Sequence, residues 1–305
     1  LVLEYADTFR LIPVTIQSSF FGNAIVGLDK VESNISESLQ SLLAKSTEIG
    51  YITGHEEAPL FAEDGNLSNF STAISDMYTF KEINLETEDI PSSLTSIVIN
   101  GPKTAYTDEE LYKIDQFLMK GGNVLLFADP FKMESNNYYQ QVEYIPTTTN
   151  LDTILEKYGV KLGKNYVFDE NCFSVNQPQY GNMKLFWAPM LQKKQLAAKH
   201  PIAKNLGYVI FLQGGTVDAS EAQANKNLKT TILAKSSEKS WVQSKDIQLY
   251  PNMQAPIDRS IEKSENLAVL IEGKFPSAFD KSPTKQENNE TGISANTHIS
   301  QGTQN

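Results

Sequence analysis

The chain of 305 residues is long enough for about two domains and a substantial hydrophobic core, which excludes a small single module. Hydrophobic residues make up 40%, and no apolar run passes five residues, as at 124–128 and 267–271, so no segment has the length that spans a bilayer. With 26 Lys and Arg against 37 Asp and Glu, the net charge of −11 repels nucleic acid at long range, and only Arg10 and Arg259 are available for bidentate phosphate contacts.

Residues 1–32 alternate loosely, as in Leu11-Ile-Pro-Val-Thr-Ile16 and Phe21-Gly-Asn-Ala-Ile-Val26, and predict a small N-terminal β element. Ile35, Leu39, Leu42 and Leu43 recur at helical spacing behind Ser33 or Asn34 as N-cap, predicting an amphipathic helix over 33–46. A short strand over 48–53 stops at Gly54. Leu67, Phe70, Ile74 and Met77 mark a second amphipathic helix, and 79–85 reads as a strand. Residues 95–99 form a buried-strand pattern closed by Asn100-Gly101-Pro102, a strong turn signal. Thr107 with Glu110 three positions on is a capping box, and the acidic first turn suits the helix dipole. Leu111, Ile114, Phe117 and Leu118 give that helix its buried stripe. Gly121-Gly122 ends it, 123–128 is another apolar strand stopped by Asp129-Pro130, and 151–158 is a helix with Gly159 as C-cap.

Near-continuous apolar strands alternating with helices predict an α/β fold. Over 33–170 we expect a parallel-sheet sandwich, flavodoxin-like or class I glutamine amidotransferase-like, covered on both faces and with additional β elements. Residues 171–279 are expected to be a second α/β portion packed on or completing that core, with strands at 208–212, 230–234 and 267–271 and a turn at Gln213-Gly-Gly215. Residues 280–305 are polar, with Ile293 and Ile299 their only large aliphatics, and are expected to be a disordered linker.

Charge is unevenly spread. Residues 1–150 carry 22 acidic and 8 basic side chains, a net of −14, while 151–305 carry 15 acidic and 18 basic, a net of +3. The stretch 171–217 has no Asp or Glu but contains Lys184, Lys193, Lys194, Lys199 and Lys204, interleaved with Phe186, Trp187, Tyr208 and Phe211. It is either a solvated lysine face that complements the acidic half or a surface facing a partner or lipid headgroups.

No complete catalytic or cofactor motif occurs: there is no Walker loop, no dinucleotide-binding glycine fingerprint, no H-E-x-x-H and no nucleophile elbow. No catalytic residue, cofactor or metal is therefore expected. The one cysteine, Cys172, excludes an internal disulfide and reads as a small buried hydrophobe rather than a nucleophile. Of the histidines, His298 lies in the polar tail, leaving His55 and His200 as acid–base candidates. In open parallel sheets ligands bind outside the carboxyl ends of the strands, where the strand order reverses. A flavodoxin-like order would bring together Gly54, His55, Glu56 and Glu57 from one loop, Asn100 and Lys103 from a second, and Asp129 from a third. That set is a candidate ligand or partner site. The alternative is local: His55 and Glu56 cap the next helix and Asp129 fixes the Pro130 turn.

Several segments carry a family resemblance: Tyr51-Ile-Thr-Gly-His-Glu-Glu57, Ile90-Pro91, Ile97-Val-Ile-Asn-Gly-Pro-Lys103, the helix start at Asp108, Gly121-Gly-Asn-Val-Leu-Leu-Phe-Ala-Asp-Pro130 and Leu267-Ala-Val-Leu-Ile-Glu-Gly-Lys-Phe275. With His200-Pro-Ile-Ala-Lys-Asn205 and Leu233-Ala-Lys-Ser-Ser-Glu-Lys-Ser-Trp241, they resemble the GldG-like gliding-motility family, the auxiliary, so-called substrate-binding component of an ABC-type transport system. The resemblance covers most of 1–280. It implies an extracytoplasmic, periplasmic domain at the bacterial inner membrane, anchored by transmembrane helices outside this sequence. Its implied partners are a permease and an ATPase, with a glycan, lipid-linked or protein partner to bind. The core is also similar to class I glutamine amidotransferases, whose nucleophilic cysteine comes after the last strand of this pattern. Asp129-Pro130 stands there instead, and proline removes a backbone donor from the elbow. We therefore expect a non-enzymatic domain. The competing expectations are a hydrolase of glycans or other polar substrates using Glu56 or Glu57 with Asp129, and a structural module that couples ATPase action to a membrane partner.

Overall fold

In the computed structural model, the described residues are 2–5, 8–11, 15–19, 22–26, 35, 47–60, 72, 74, 77–136, 141–178, 181–250, 253–283 and 298–303. The chain divides into two compact units, one of Leu1–Tyr51 with Ala58–Glu82 and one of Ile52–Glu57 with Ile83–Asn305. The first unit opens with two antiparallel hairpins, β1 (Val2–Tyr5) with β2 (Thr8–Leu11) and β3 (Thr15–Ser19) with β4 (Gly22–Val26). The helices expected over 33–46 and around 67–77 lie outside the described residues except for Ile35, Thr72 and Ile74, which are helical, and Met77, which lies in a turn.

The apolar runs read from the sequence do form the central sheet. β5 (Thr47–Thr53), β6 (Tyr78–Asn84), β7 (Ser96–Asn100) and β8 (Asn123–Phe127) make a four-stranded parallel sheet in the order β6-β5-β7-β8. β7 and β8 pair from Ser96 with Asn123 to Asn100 with Phe127. The strand order reverses at β5, because β6 lies on one side of it and β7 and β8 on the other. Helix α1 (Asp108–Met119) connects β7 to β8, and its Thr107 cap and Glu110 form the expected reciprocal capping box. Ile114, Leu111 and Met119 of α1 pack into one core with Ile52, Ile83 and Ile97 of the sheet. Their aliphatic burial is the main stabilising term, at about 25 cal/mol per Å² of apolar surface.

Leu125 and Phe127 on β8, the last strand of the sheet, remain 52% and 54% exposed. Beyond β8 the chain is built mostly from antiparallel strands. These are β9 (Phe131–Asn136) with β10 (Gln141–Pro146), β11 (Lys161–Leu162) with β16 (Val217–Asp218), and β12 (Tyr166–Asp169) with β18 (Ser240–Gln243). β13 (Cys172–Gln177), β14 (Gly181–Gln192) and β15 (Tyr208–Ile210) make a three-stranded sheet, and β17 (Leu228–Lys235) pairs with β19 (Asn266–Gly273). The helices here are short, α2 (Asp152–Lys157), with Gly159 in the expected left-handed conformation at φ +79°, and α3 (Ser220–Ala224). Residues on either side of 171 share one unit, and the β12–β18 pair joins them directly.

The expected linker over 280–305 needs a correction at its end. Residues 298–303 are held against α1 and the segment after β19, through main-chain bonds from Ser277 N to Ser300 O, Gly302 N to Phe275 O and Thr303 N to Met119 O. Low hydrophobicity predicts disorder only when the segment has nothing to pair with, and here main-chain groups supply the attachment.

Candidate functional site

The three loops expected to meet do converge at the carboxyl ends of β5, β7 and β8. The His55 carbonyl accepts the main-chain N–H groups of Lys103 at 2.7 Å and Thr104 at 3.4 Å, and Gly101 N donates to the Phe127 carbonyl at 2.8 Å. Asn100 closes β7 in register with Phe127. Gly54 takes φ +113°, and a Cβ on it would lie 3.1 Å from the Asn84 side-chain oxygen. Gly101 takes φ +65°, and a Cβ there would come within 3.1 Å of the Asp129 carboxylate. Both positive φ values favour glycine.

Behind the loops lies a buried layer. His55 is 7% exposed and stacks on Tyr106 with ring centroids 3.8 Å apart. Its Nε2 lies 3.4 Å from Glu110 Oε2, while Nδ1 is buried without a hydrogen-bond partner among the described residues. Glu110 is also the capping-box residue, accepting from Thr107 N and Thr107 Oγ1, each at 2.8 Å. The Tyr106 hydroxyl donates to Glu57 Oε1 at 2.6 Å, and His55 N donates to Glu57 Oε2 at 2.7 Å. Burial foremost, then the Glu57 carboxylate, holds the Tyr106 hydroxyl protonated well above the usual tyrosine range.

In front is a rim of exposed ion pairs. Lys103 Nζ contacts the Asp129 carboxylate, and Lys132 Nζ lies 3.1 Å from Glu56 Oε2. Thus Glu56, Glu57 and Asp129 each engage a different partner. Among the described residues there is no group of three or more His, Cys, Asp or Glu placed to hold a metal ion.

Three members of this site were not found by sequence reasoning. Tyr106 precedes the N-cap with no local signal. Glu110 was accounted for by its capping role. Lys132 sits in an alternating strand whose register the sequence alone does not supply.

The basic candidates Lys184, Lys193, Lys194, Lys199 and Lys204 are all exposed, with Lys184 Nζ 5.9 Å from the Phe186 ring centroid. They are not part of the strand-end cluster. Lys194 and Lys235 border an open groove of about 290 Å³ that Gln195, Leu196, Ile232 and Asn266 also line. His200 is half-buried, its Nδ1 accepting Ile202 N at 3.3 Å. The half-buried Cys172 thiol is pushed up to about 11, chiefly by burial, so the thiolate is scarce at neutral pH.

Among described residues no helix is long and apolar enough to cross a membrane. Among solved structures the chain is similar to the mmIFT52 N-terminal domain, with 13% sequence identity and a TM-score of 0.43 over 64% of this chain and 75% of that one. No curated protein sequence matches it. A family model described as "ABC-type uncharacterized transport system" matches residues 46–303, and the chain therefore belongs to that family of ABC-transport auxiliary proteins.

Proposed function

We propose that the chain is a non-catalytic, extracytoplasmic domain of a membrane-associated ABC-transport accessory protein, serving gliding motility or export, whose strand-end rim docks the permease assembly or its cargo. The fold that goes with it is a flavodoxin-like or amidotransferase-like core, supported by the reversal of strand order at β5. One observation carries the reading: each carboxylate offered for chemistry already has a partner. Glu57 is held by Tyr106 and the His55 main chain, Glu56 by Lys132 and Asp129 by Lys103. A hydrolase of the glycosidase type needs two carboxyl groups facing one bond across a gap. Exposed ion pairs contribute only about 0–1 kcal/mol each. They can therefore be exchanged at small cost for charges on a partner, while the buried His55, Tyr106 and Glu110 layer keeps the loops in place. ATP hydrolysis falls to the partner ATPase, since the chain has no P-loop.

The test is capture of the ABC permease and ATPase from solubilised membranes of the source organism by the immobilised chain. Capture should fall in the double variant Glu56→Lys, Asp129→Lys with thermal stability retained. Recovery of neither subunit by the wild-type chain would sink the proposal. So would release of reducing ends from glycan substrates that is lost in Glu57→Gln.

A further inference from the structure

The excursion from β14 to β15 sorts its side chains sharply. Leu191, Leu196, Ala203 and Val209 turn inward onto a small core with Ala234 and Leu267. Ile202, Leu206, Tyr208, Ile210 and Leu212 turn outward and are 57%, 42%, 62%, 37% and 66% exposed. Strand register explains the division. Leu191 pairs with Val209, while Gln192 pairs with Tyr208 and Met190 with Ile210, so Tyr208 and Ile210 share the outer face. β15 is the last strand of its sheet, and an exposed apolar group of this extent marks an interaction surface.

Lys193, Lys194, Lys199 and Lys204 are exposed on the same excursion, and Lys235 lines the same groove as Lys194. Among the described residues none of these lysines makes an ion pair, whereas Lys103, Lys132, Lys161 and Lys229 each sit on a carboxylate. The reason lies in the sequence, which places no Asp or Glu anywhere in 171–217.

We propose that this face docks on an anionic phospholipid surface. Lysine is depleted from the cores of protein interfaces, where arginine is favoured, and 171–217 contains no arginine. Long aliphatic stems carrying point charges beside Tyr and branched aliphatics instead match the headgroup layer, where ammonium groups reach phosphates and apolar side chains enter the acyl boundary. The groove has Lys194 and Lys235 along its lining, which brings two cationic residues to one open space where a phosphodiester can sit. This surface is separate from the strand-end rim, so it stands or falls independently of the function proposed above.

Co-sedimentation of the chain with phosphatidylcholine vesicles, with and without phosphatidylglycerol, tests it. Binding is expected only with phosphatidylglycerol and should weaken as salt is raised. Lys193→Gln with Lys194→Gln should lower the partition coefficient by roughly thirtyfold. Tyr208→Ser with Leu212→Ser should lower it with the salt dependence unchanged. If either pair lowers the melting temperature, Lys199→Gln with Lys204→Gln supplies an independent electrostatic variant. Equal binding to both vesicle types, or binding to neither, overturns the proposal. Phosphatidylglycerol binding that survives both lysine pairs also overturns it. A purified protein partner that binds through Tyr208 and Leu212 while vesicles do not would assign the face to protein recognition instead.

Discussion

The side-chain amide of Gln116 pairs with the main chain of Ile299 in both senses. Its Oε1 accepts the Ile299 N–H at 2.8 Å and its Nε2 donates to the Ile299 carbonyl at 3.1 Å. Gln116 is buried in α1, so a side chain does for Ile299 what a neighbouring strand would do for a longer segment. Gln116→Leu should cost about 2 kcal/mol, because it leaves both main-chain groups of Ile299 unpaired. Hydrogen exchange should accelerate selectively over 299–303; unchanged exchange would show that the remaining main-chain bonds hold the segment alone.

One position earlier, the fully buried Asp115 accepts from Tyr158 Oη at 2.8 Å, Ser277 Oγ at 2.7 Å and Ala278 N at 2.7 Å. Removing the acceptor takes a partner from the buried Tyr158 hydroxyl and from the half-buried Ser277 and Ala278 donors, so Asp115→Ala should destabilise by about 2–4 kcal/mol. Ser277→Ala removes one donor and should cost about 1 kcal/mol. Urea midpoints at constant m-value check both, and equal losses in the two variants would refute the hub role of Asp115.

Alkaline pH should find a weakness in the same regions. Burial first, then Asp115, holds the Tyr158 hydroxyl protonated far above its ordinary value of 10.0, as burial and Glu57 do for Tyr106. A folded-state pKa above the unfolded one means the native chain binds the proton more tightly. That stabilisation is complete below the unfolded value and is lost as pH rises above it. Thermal melts should therefore fall steeply above pH 10 and fall less in Tyr158→Phe or Tyr106→Phe. Identical slopes in wild type and both variants would contradict it.

Cys172 should resist alkylation. Its thiol is pushed from the usual 9.0 up to about 11 by burial, with Lys184 opposing. At pH 8 the thiolate fraction, and with it the iodoacetamide rate, should be roughly a hundredfold below that of an ordinary cysteine. Unfolding in urea should restore the rate; a rate near that of free cysteine in the native protein would count against the burial.

The strand-end site should separate into a tolerant rim and an intolerant base. Asp129→Asn breaks an exposed pair with Lys103 and should cost at most about 1 kcal/mol. Glu57→Gln weakens two hydrogen bonds accepted by a charged group, from Tyr106 and the His55 main chain, and should cost about 2–3 kcal/mol. Chemical denaturation of the two variants tests the difference, and equal costs would erase the distinction between rim and base.

By itself the sequence determined the elements whose causes are local. The apolar runs became β7 and β8, the Thr107 and Glu110 spacing became the capping box of α1, and Gly159 ended α2. It also determined the family resemblance and the basic stretch, since both are patterns of neighbouring residues. Only the tertiary structure decided that Glu110 faces His55, that Tyr106 stacks on the same ring, that Lys132 meets Glu56, and that residues 298–303 dock on Gln116. Those pairings join positions far apart in the chain. Strand order and register bring them together, and a single sequence carries no local periodicity that encodes which distant loop will face which.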